Sequence, residues 1–454
     1  MTVAEFARAF RAREITSEEA TGRSLAAIRA KNSELNAFTL VLENDAIEQA
    51  RQADRELAAG HDRGPLHGVP VSVKDLIDLR GTVTTAASAV RTSAPPADQD
   101  APAIAHLREA GAVFVGKTNL HEFALGTTSE DSVFGAVKNP LDTTRSAGGS
   151  SGGSAVSIVT GMALASVGTD TGGSIGIPAA ACGIVGLKPS YGEVSTDGVV
   201  PLSPRLDHVG PLAQSAGDAW IMFRALAGEM HPADLAPLAS GEIRVKVLRR
   251  YFCDVLDDDV RARFDETIQK IRRAGAHVSD HDFRHAQTVS HVYLKIAPYE
   301  AFLYHQPTLD ATPEQYTTPV RQRLEVGRTI SHNEFLKALN VQADLREDID
   351  RALTDCDALV LPTMPIPAPP LGRDMTIIGT DTYPTRALTL RETQLFNLTG
   401  HPAMSIPCGN TRGGLPVGLQ LAGHHGRTDA LVRVALECER VFGDPERVAL
   451  RRSF

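Results

Sequence analysis

The chain is predicted to fold as one α/β domain built on a partly parallel, buried sheet. Residues 68–75 alternate apolar and polar, residues 112–116 are a short apolar run bounded by glycine, and residues 102–110 between them keep helical spacing. Strand, helix, strand in that order is a βαβ unit, which buries its sheet between helices. The chain has 454 residues, 42% hydrophobic and 22% charged, as in a soluble globular protein with a large core. No internal repeat or low-complexity linker divides it, so a single domain over 1–454 is the simplest account.

In order, residues 1–60 read as N-terminal helices. Thr16-Ser17-Glu18-Glu19 is a capping-box pattern, followed by Ala20, Leu25, Ile28 and Leu35 at helical spacing. A charged helix covers about 42–59. The strands at 68–75 and 112–116 come next, and residues 155–159 open a helix directly after the glycine-serine run at 148–154. Residues 163–167 lead into a second such run, and 182–189 follow it. Residues 231–354 are more polar and more helical, a variable insertion between two core segments, 61–230 and 355–454. Residues 357–362 are a buried strand with a proline-rich loop after it, 415–421 a further strand, and 427–442 a closing helix.

Charge and cysteine content narrow the function. A net charge of −9 argues against nucleic acid or an anionic membrane as partner. No run approaches the roughly 18 apolar residues of a transmembrane helix, and residues 1–16 contain no signal-peptide core, so a cytoplasmic setting is expected. The five dispersed cysteines include no CxxC pair; reduced thiols are expected, with no metal site and no cofactor.

Chemistry concentrates in two glycine-rich loops, Gly148-Gly149-Ser150-Ser151-Gly152-Gly153-Ser154 and Asp170-Thr171-Gly172-Gly173-Ser174. Taken singly, either could be a flexible turn. Together, flanking apolar structure, they can direct several N–H groups at one point, as an oxyanion requires. Both match G-x-S-x-G, but the nucleophile elbow needs a strand before the serine and a helix after it. Residues 139–145 before Ser150 are polar and read as no strand, and Pro178 after Ser174 permits little more than a first helical turn. A P-loop is disfavoured by the missing Gly-Lys-Ser/Thr, and the serine-x-x-lysine signature is absent.

Gly68-x-Pro70-x-x-x-Lys74-Asp75, the two serine loops, and Pro178-Ala179-Ala180 closely resemble the amidase signature family. The resemblance extends through Lys117-Thr118-Asn119, Gly186-Leu187-Lys188-Pro189, Phe396-Asn397 and Gly400-His401-Pro402 to Gly414-Leu415-Pro416. It implies a large α/β/α domain with a mixed central sheet, and an amidohydrolase of linear C–N bonds acting on a small-molecule amide or carbamate. Residue by residue it implies Ser174 as acyl nucleophile, Ser150 as a bridging serine following a cis peptide bond from Gly149, and Lys74 as terminal base. The backbone N–H groups of Thr171, Gly172, Gly173 and Ser174 are then the expected oxyanion hole, with Thr169 and Asp170 orienting the loop. A lysine is a cation at neutral pH unless burial lowers its pKa, which full burial can do by ~3–5 units. Taken alone, Lys74 could equally be a surface partner of Asp75 or Asp78.

The chain departs from the family pattern at Ser174-Ile175-Gly176-Ile177-Pro178, where many members carry arginine at the position of Gly176. With Gly176 and Ile177 at the pocket, a neutral acyl or carbamoyl substrate, aryl included, is expected; alternatively Gly176 only relaxes a turn. Competing roles are an aryl carbamate hydrolase or esterase, the glutaminase subunit of a tRNA-dependent amidotransferase, and a non-catalytic scaffold. A homodimer is left open. The aromatics Tyr293, Tyr299, Phe302, Tyr304, Tyr316 and Phe335 either form the insertion's own core or line a pocket, the former being preferred.

Overall fold

In the computed structural model, which describes residues 1–443, an eleven-stranded sheet runs through the molecule. The strands in chain order begin with β1 (Phe38–Val41), β2 (Pro70–Lys74) and β3 (Val113–Thr118). A separate hairpin of β4 (Lys138–Asn139) and β5 (Asp142–Ser146) precedes β6 (Ala165–Asp170), β7 (Val185–Lys188) and β8 (His208–Ala213). Then come β9 (Arg244–Leu248), β10 (His277–His281) and β11 (Ala358–Pro362), a second hairpin of β12 (Met375–Ile378) and β13 (Asp381–Pro384), and finally β14 (Ala403–Asn410) and β15 (Pro416–Ala422). Across the sheet the order is β1-β3-β2-β6-β8-β7-β14-β15-β11-β9-β10.

The sheet is mixed. β2 runs parallel to β3 and β6, and β9 runs parallel to β10 and β11, while the strands between these two groups pair antiparallel. Side chains alternate along β2, as a pleated strand requires. Val71 and Val73 enter a core shared with helices Pro102–Glu109, Ala216–Leu226 and Thr428–Phe442. Ser72 points the other way, where its hydroxyl lies 2.9 Å from that of Ser157 on helix Gly152–Val159. Lys74 shares that second face. Every residue of β2, β3 and β6 is buried, in keeping with a parallel sheet covered on both sides.

The expected α/β class and mixed, helix-covered sheet are found, and the Thr16 capping box is present in full at the start of helix Ser17–Leu35. Three local expectations are corrected. The N-terminal sixty residues are not all helical, because β1 pairs with β3 at the sheet edge. The polar stretch before Ser150 is not strandless: β4 and β5 form a hairpin whose backbone bonds, not apolar burial, define it. The 231–354 segment is not purely helical either, since β9 and β10 extend the main sheet. Of the core segment assigned to 355–454, residues 444–454 lie outside the described residues. No helix among the described residues is long and apolar enough to cross a membrane.

Candidate active site

Lys74 is the last residue of β2, and it is fully buried. Because β6 lies parallel and adjacent, the end of β6 arrives at the same rim of the sheet. The Lys74 Nζ contacts three hydroxyls: Ser150 Oγ at 2.7 Å, Thr169 Oγ1 at 2.8 Å and Ser151 Oγ at 2.9 Å. The Ser151 hydroxyl donates its proton to the Thr169 carbonyl at 3.2 Å, so toward Lys74 it acts as an acceptor. A neutral amine has two donors and one lone pair, which leaves a hydroxyl such as that of Ser150 to donate into the lone pair. Burial pushes the Lys74 amine down to about 7, with Asp170 and Asp207 pulling the other way. The alternative of a surface ion pair is ruled out by geometry. Asp75 binds the buried Lys117 at 2.8 Å, and Asp78 accepts from Thr84 at 2.7 Å.

The second loop is wrapped around one carboxylate. Asp170 Oδ1 accepts from Gly173 N at 2.6 Å and from Asn397 Nδ2 at 2.8 Å; Oδ2 accepts from Ile175 N at 2.6 Å and Gly176 N at 3.4 Å. Thr393 donates to the Gly172 carbonyl at 2.6 Å, and Thr171 donates to Asp207 at 2.6 Å. Gly173 sits at φ +135°, and a methyl group there would lie 2.2 Å from Thr393 Oγ1, so only glycine fits. The Gly173 N–H is therefore committed to Asp170, which removes it from the expected oxyanion donors. The N–H groups of Thr171, Gly172 and Ser174 make no hydrogen bond to another described residue.

The first loop meets the second at Ser151, whose N–H donates to the Ser174 carbonyl at 3.3 Å. The Gly149–Ser150 peptide bond is cis. A methyl group on Gly149 would lie 2.8 Å from the backbone nitrogens of Thr128 and Ser129, which explains glycine at that position. Ser129 in turn holds the loop, bonding the Ser150 carbonyl and the Gly152 N–H, each at 3.1 Å. Ser174 is 6% exposed and its hydroxyl makes no hydrogen bond within the described residues. The lysine-to-Ser150 half of the expected relay is thus closed and the Ser150-to-Ser174 half is open; catalytic contacts often tighten only with substrate bound.

Asp170 gives a direct test of these electrostatics. Asp170→Asn keeps the shape but removes an anion that raises the Lys74 pKa. The acid limb of the kcat/KM pH profile is expected to move below its wild-type position near pH 7. A limb that stays in place would detach Asp170 from the titration.

Space around the loop differs from what the missing arginine suggests. A methyl on Gly176 would meet Thr363 at 3.5 Å and Thr393 at 3.8 Å, and the adjoining cavity, lined partly by Lys188, Ser405 and Gln420, is about 10 Å³. That is room for one water, not for a long side chain. A cleft of about 580 Å³ lies elsewhere, against helix Glu43–Ala58, and contains neither the serines nor Lys74. The insertion's aromatics are mostly core: Tyr299 stacks on Phe335 at 4.5 Å, and Phe302 and Tyr316 join one apolar cluster. Tyr293 is the exception, because a methyl on Gly172 would lie 2.5 Å from its hydroxyl. The proline-rich segment after β11 is neither wall nor free loop. It braces β5 through Ser146 N to Pro369 O at 2.9 Å and Arg145 Nη1 to Ala368 O at 2.7 Å. Sequence reasoning misses Thr393, Asn397 and Tyr293 as parts of the site; only Asn397 carries a signal, within the Phe396-Asn397 pair.

A family model described as Amidase matches residues 19–432. A subunit of the glutamyl-tRNA(Gln) amidotransferase of Anaeromyxobacter sp. (strain K) is 38% identical over 95% of this chain and 94% of its own. The crystal structure of an amidase superposes with a TM-score of 0.92 at 36% identity, covering 98% of this chain and 100% of that one. The peptide amidase of Stenotrophomonas maltophilia superposes at 0.80 with 27% identity, covering 97% and 96%.

Proposed function

This chain belongs to the amidase signature family, and from that premise we propose that it hydrolyses a linear amide through an acyl-enzyme on Ser174. The observation that carries the reading is a fully buried lysine whose nitrogen lies 2.7 Å from Ser150 Oγ, in a loop hydrogen-bonded to the residue that supplies the nucleophile. Neutral Lys74 takes a proton from Ser150 as Ser150 takes one from Ser174, and the Ser174 oxygen adds to the substrate carbonyl. The free N–H groups of Thr171, Gly172 and Ser174 receive the oxyanion; one such donor is typically worth ~2.7–4 kcal/mol of transition-state stabilisation. The relay then returns a proton to the leaving amine, and water, deprotonated the same way, releases the acyl group. Aryl carbamates and esters are open to the same acyl transfer.

A second reading is favoured by the name of the relative at 38% identity: an amidotransferase component that liberates ammonia from glutamine for a partner chain. One assay separates the possibilities. Ammonia or amine release is followed from glutamine, peptide amides, anilides, aryl carbamates and esters, with Ser174→Ala as control. Amide cleavage by the isolated chain that vanishes in the variant supports the main reading. Cleavage confined to esters, or retained in the variant, overturns it. Glutamine cleavage that appears only with amidotransferase partner chains present supports the second.

A further inference from the structure

The segment from helix Thr385–Leu390 to Thr393 bridges the two serine loops. Thr393 bonds the Gly172 carbonyl on one side. On the other, Thr389 donates to Thr127 Oγ1 at 2.9 Å, and the Thr127 backbone packs against Gly149. Arg386 is three residues before Thr389, so it shares that face of the helix. Its side chain is partly exposed, yet its Nε is buried without a partner, and no hydrogen bond or ion pair reaches the guanidinium among the described residues.

The charged and titratable groups around Arg386 do not neutralise it. Arg323 and His121 are near it, but Arg323 is already engaged by His121, the Leu125 carbonyl and Asp131. The remaining neighbour is Tyr293, whose hydroxyl makes no hydrogen bond to a described residue and abuts Gly172. Burial pushes that phenol up to about 12, so it stays a neutral donor. A desolvated cation is costly unless an anion pairs with it. Here the cation and a free phenol sit together beside the nucleophile's loop.

We propose that Arg386, assisted by the Tyr293 hydroxyl, binds a carboxylate of the substrate, making the substrate an amide that carries a carboxylate a few bonds from the scissile carbonyl. The inference rests on the Ser174 acyl-enzyme reading and replaces the neutral substrate that Gly176 alone suggests. Arg386 is a specificity determinant; it holds the substrate and takes no part in proton transfer.

The test is binding without turnover. Ser174→Ala protein is titrated calorimetrically with malonamate, succinamate and glutaramate and with the methyl ester of each, with and without Arg386→Met. At least one carboxylate is expected to bind about 10-fold or more tighter than its ester, as a charge-assisted pair warrants, and the preference is expected to vanish once Arg386→Met is added. Since Arg386 has no internal partner, Arg386→Met should melt at or above the parent temperature; Arg386→Lys, which retains the charge, should keep part of the preference. No carboxylate preference in the parent, or a preference that survives in Arg386→Met, overturns the proposal. Labelling of wild-type Ser174 by a fluorophosphonate reports on the acyl-enzyme reading separately, so failure of one is distinguishable from failure of the other.

Discussion

Ser174→Ala is expected to lower kcat by on the order of 10⁴- to 10⁶-fold while leaving the thermal melt unchanged. Both halves follow from the same fact: the Ser174 hydroxyl has no hydrogen-bond partner within the described residues. Removing a paired buried hydroxyl strands its partner at a cost of ~1–3 kcal/mol, but here there is no partner to strand. The loop stays in place because Asp170 grips the flanking N–H groups of Gly173 and Ile175. The measurement is single-turnover and steady-state kinetics on the best amide, alongside calorimetry of folding. A variant that melts much lower would mean that the hydroxyl is structural, and one that still turns over would remove Ser174 as nucleophile.

Lys74→Met is the second large effect, and it acts on activity and stability in opposite directions. Without the amine nothing accepts the proton, and losses of at least ~10³-fold are expected, since general-base catalysis contributes ~10²–10⁴. In the wild type, kcat/KM should rise with pH through about 7, where the folded lysine loses its proton. Stability follows the sign of proton uptake. Between pH 7 and the ordinary lysine value of 10.5 the unfolded chain holds a proton on Lys74 and the folded chain does not. Unfolding therefore takes up a proton, and wild-type stability from this group rises with pH across that window. Below pH 7 the folded protein carries a buried ammonium and the full penalty. Lys74→Met abolishes this dependence, so its stability relative to wild type should be greatest below pH 7 and decline toward pH 10.5, by about 5 kcal/mol over the range. Urea denaturation at a series of pH values measures it. A relative stability that does not change with pH would show that Lys74 is protonated in the folded state.

The fold class was legible because the strands near the site announce themselves. Val69-Pro70-Val71-Ser72-Val73 alternates, and Ala163-Leu164-Ala165 leads straight into the second loop. β5 was not legible: Asp142-Thr143-Thr144-Arg145 buries little, and it is ordered by backbone bonds to the distant 368–371 segment. Nor were β9 and β10, since β10, His277–His281, is largely exposed at the sheet edge and polar in sequence. For the site, the glycines and serines carried the signal, and Lys74 joined them through family resemblance. Arg386 and Tyr293 could not be found that way. They are separated from the loops by more than a hundred residues, and what distinguishes Arg386 is the lack of a partner, a property of three-dimensional surroundings that no local pattern encodes.

The continuity of the main sheet through β9 and β10 bears on protein engineering. β9 hydrogen-bonds to β11, which in turn supports β15, so excising the whole 231–354 stretch would bare an unprotected strand edge and invite association between molecules. Exchange of specificity between related enzymes should therefore graft only the helices from Val289 to Leu353, with crossover points after His281 and before Ala358. Chimaeras cut at those junctions keep the hydrogen-bonded ladder intact and transplant Tyr293 along with its helix.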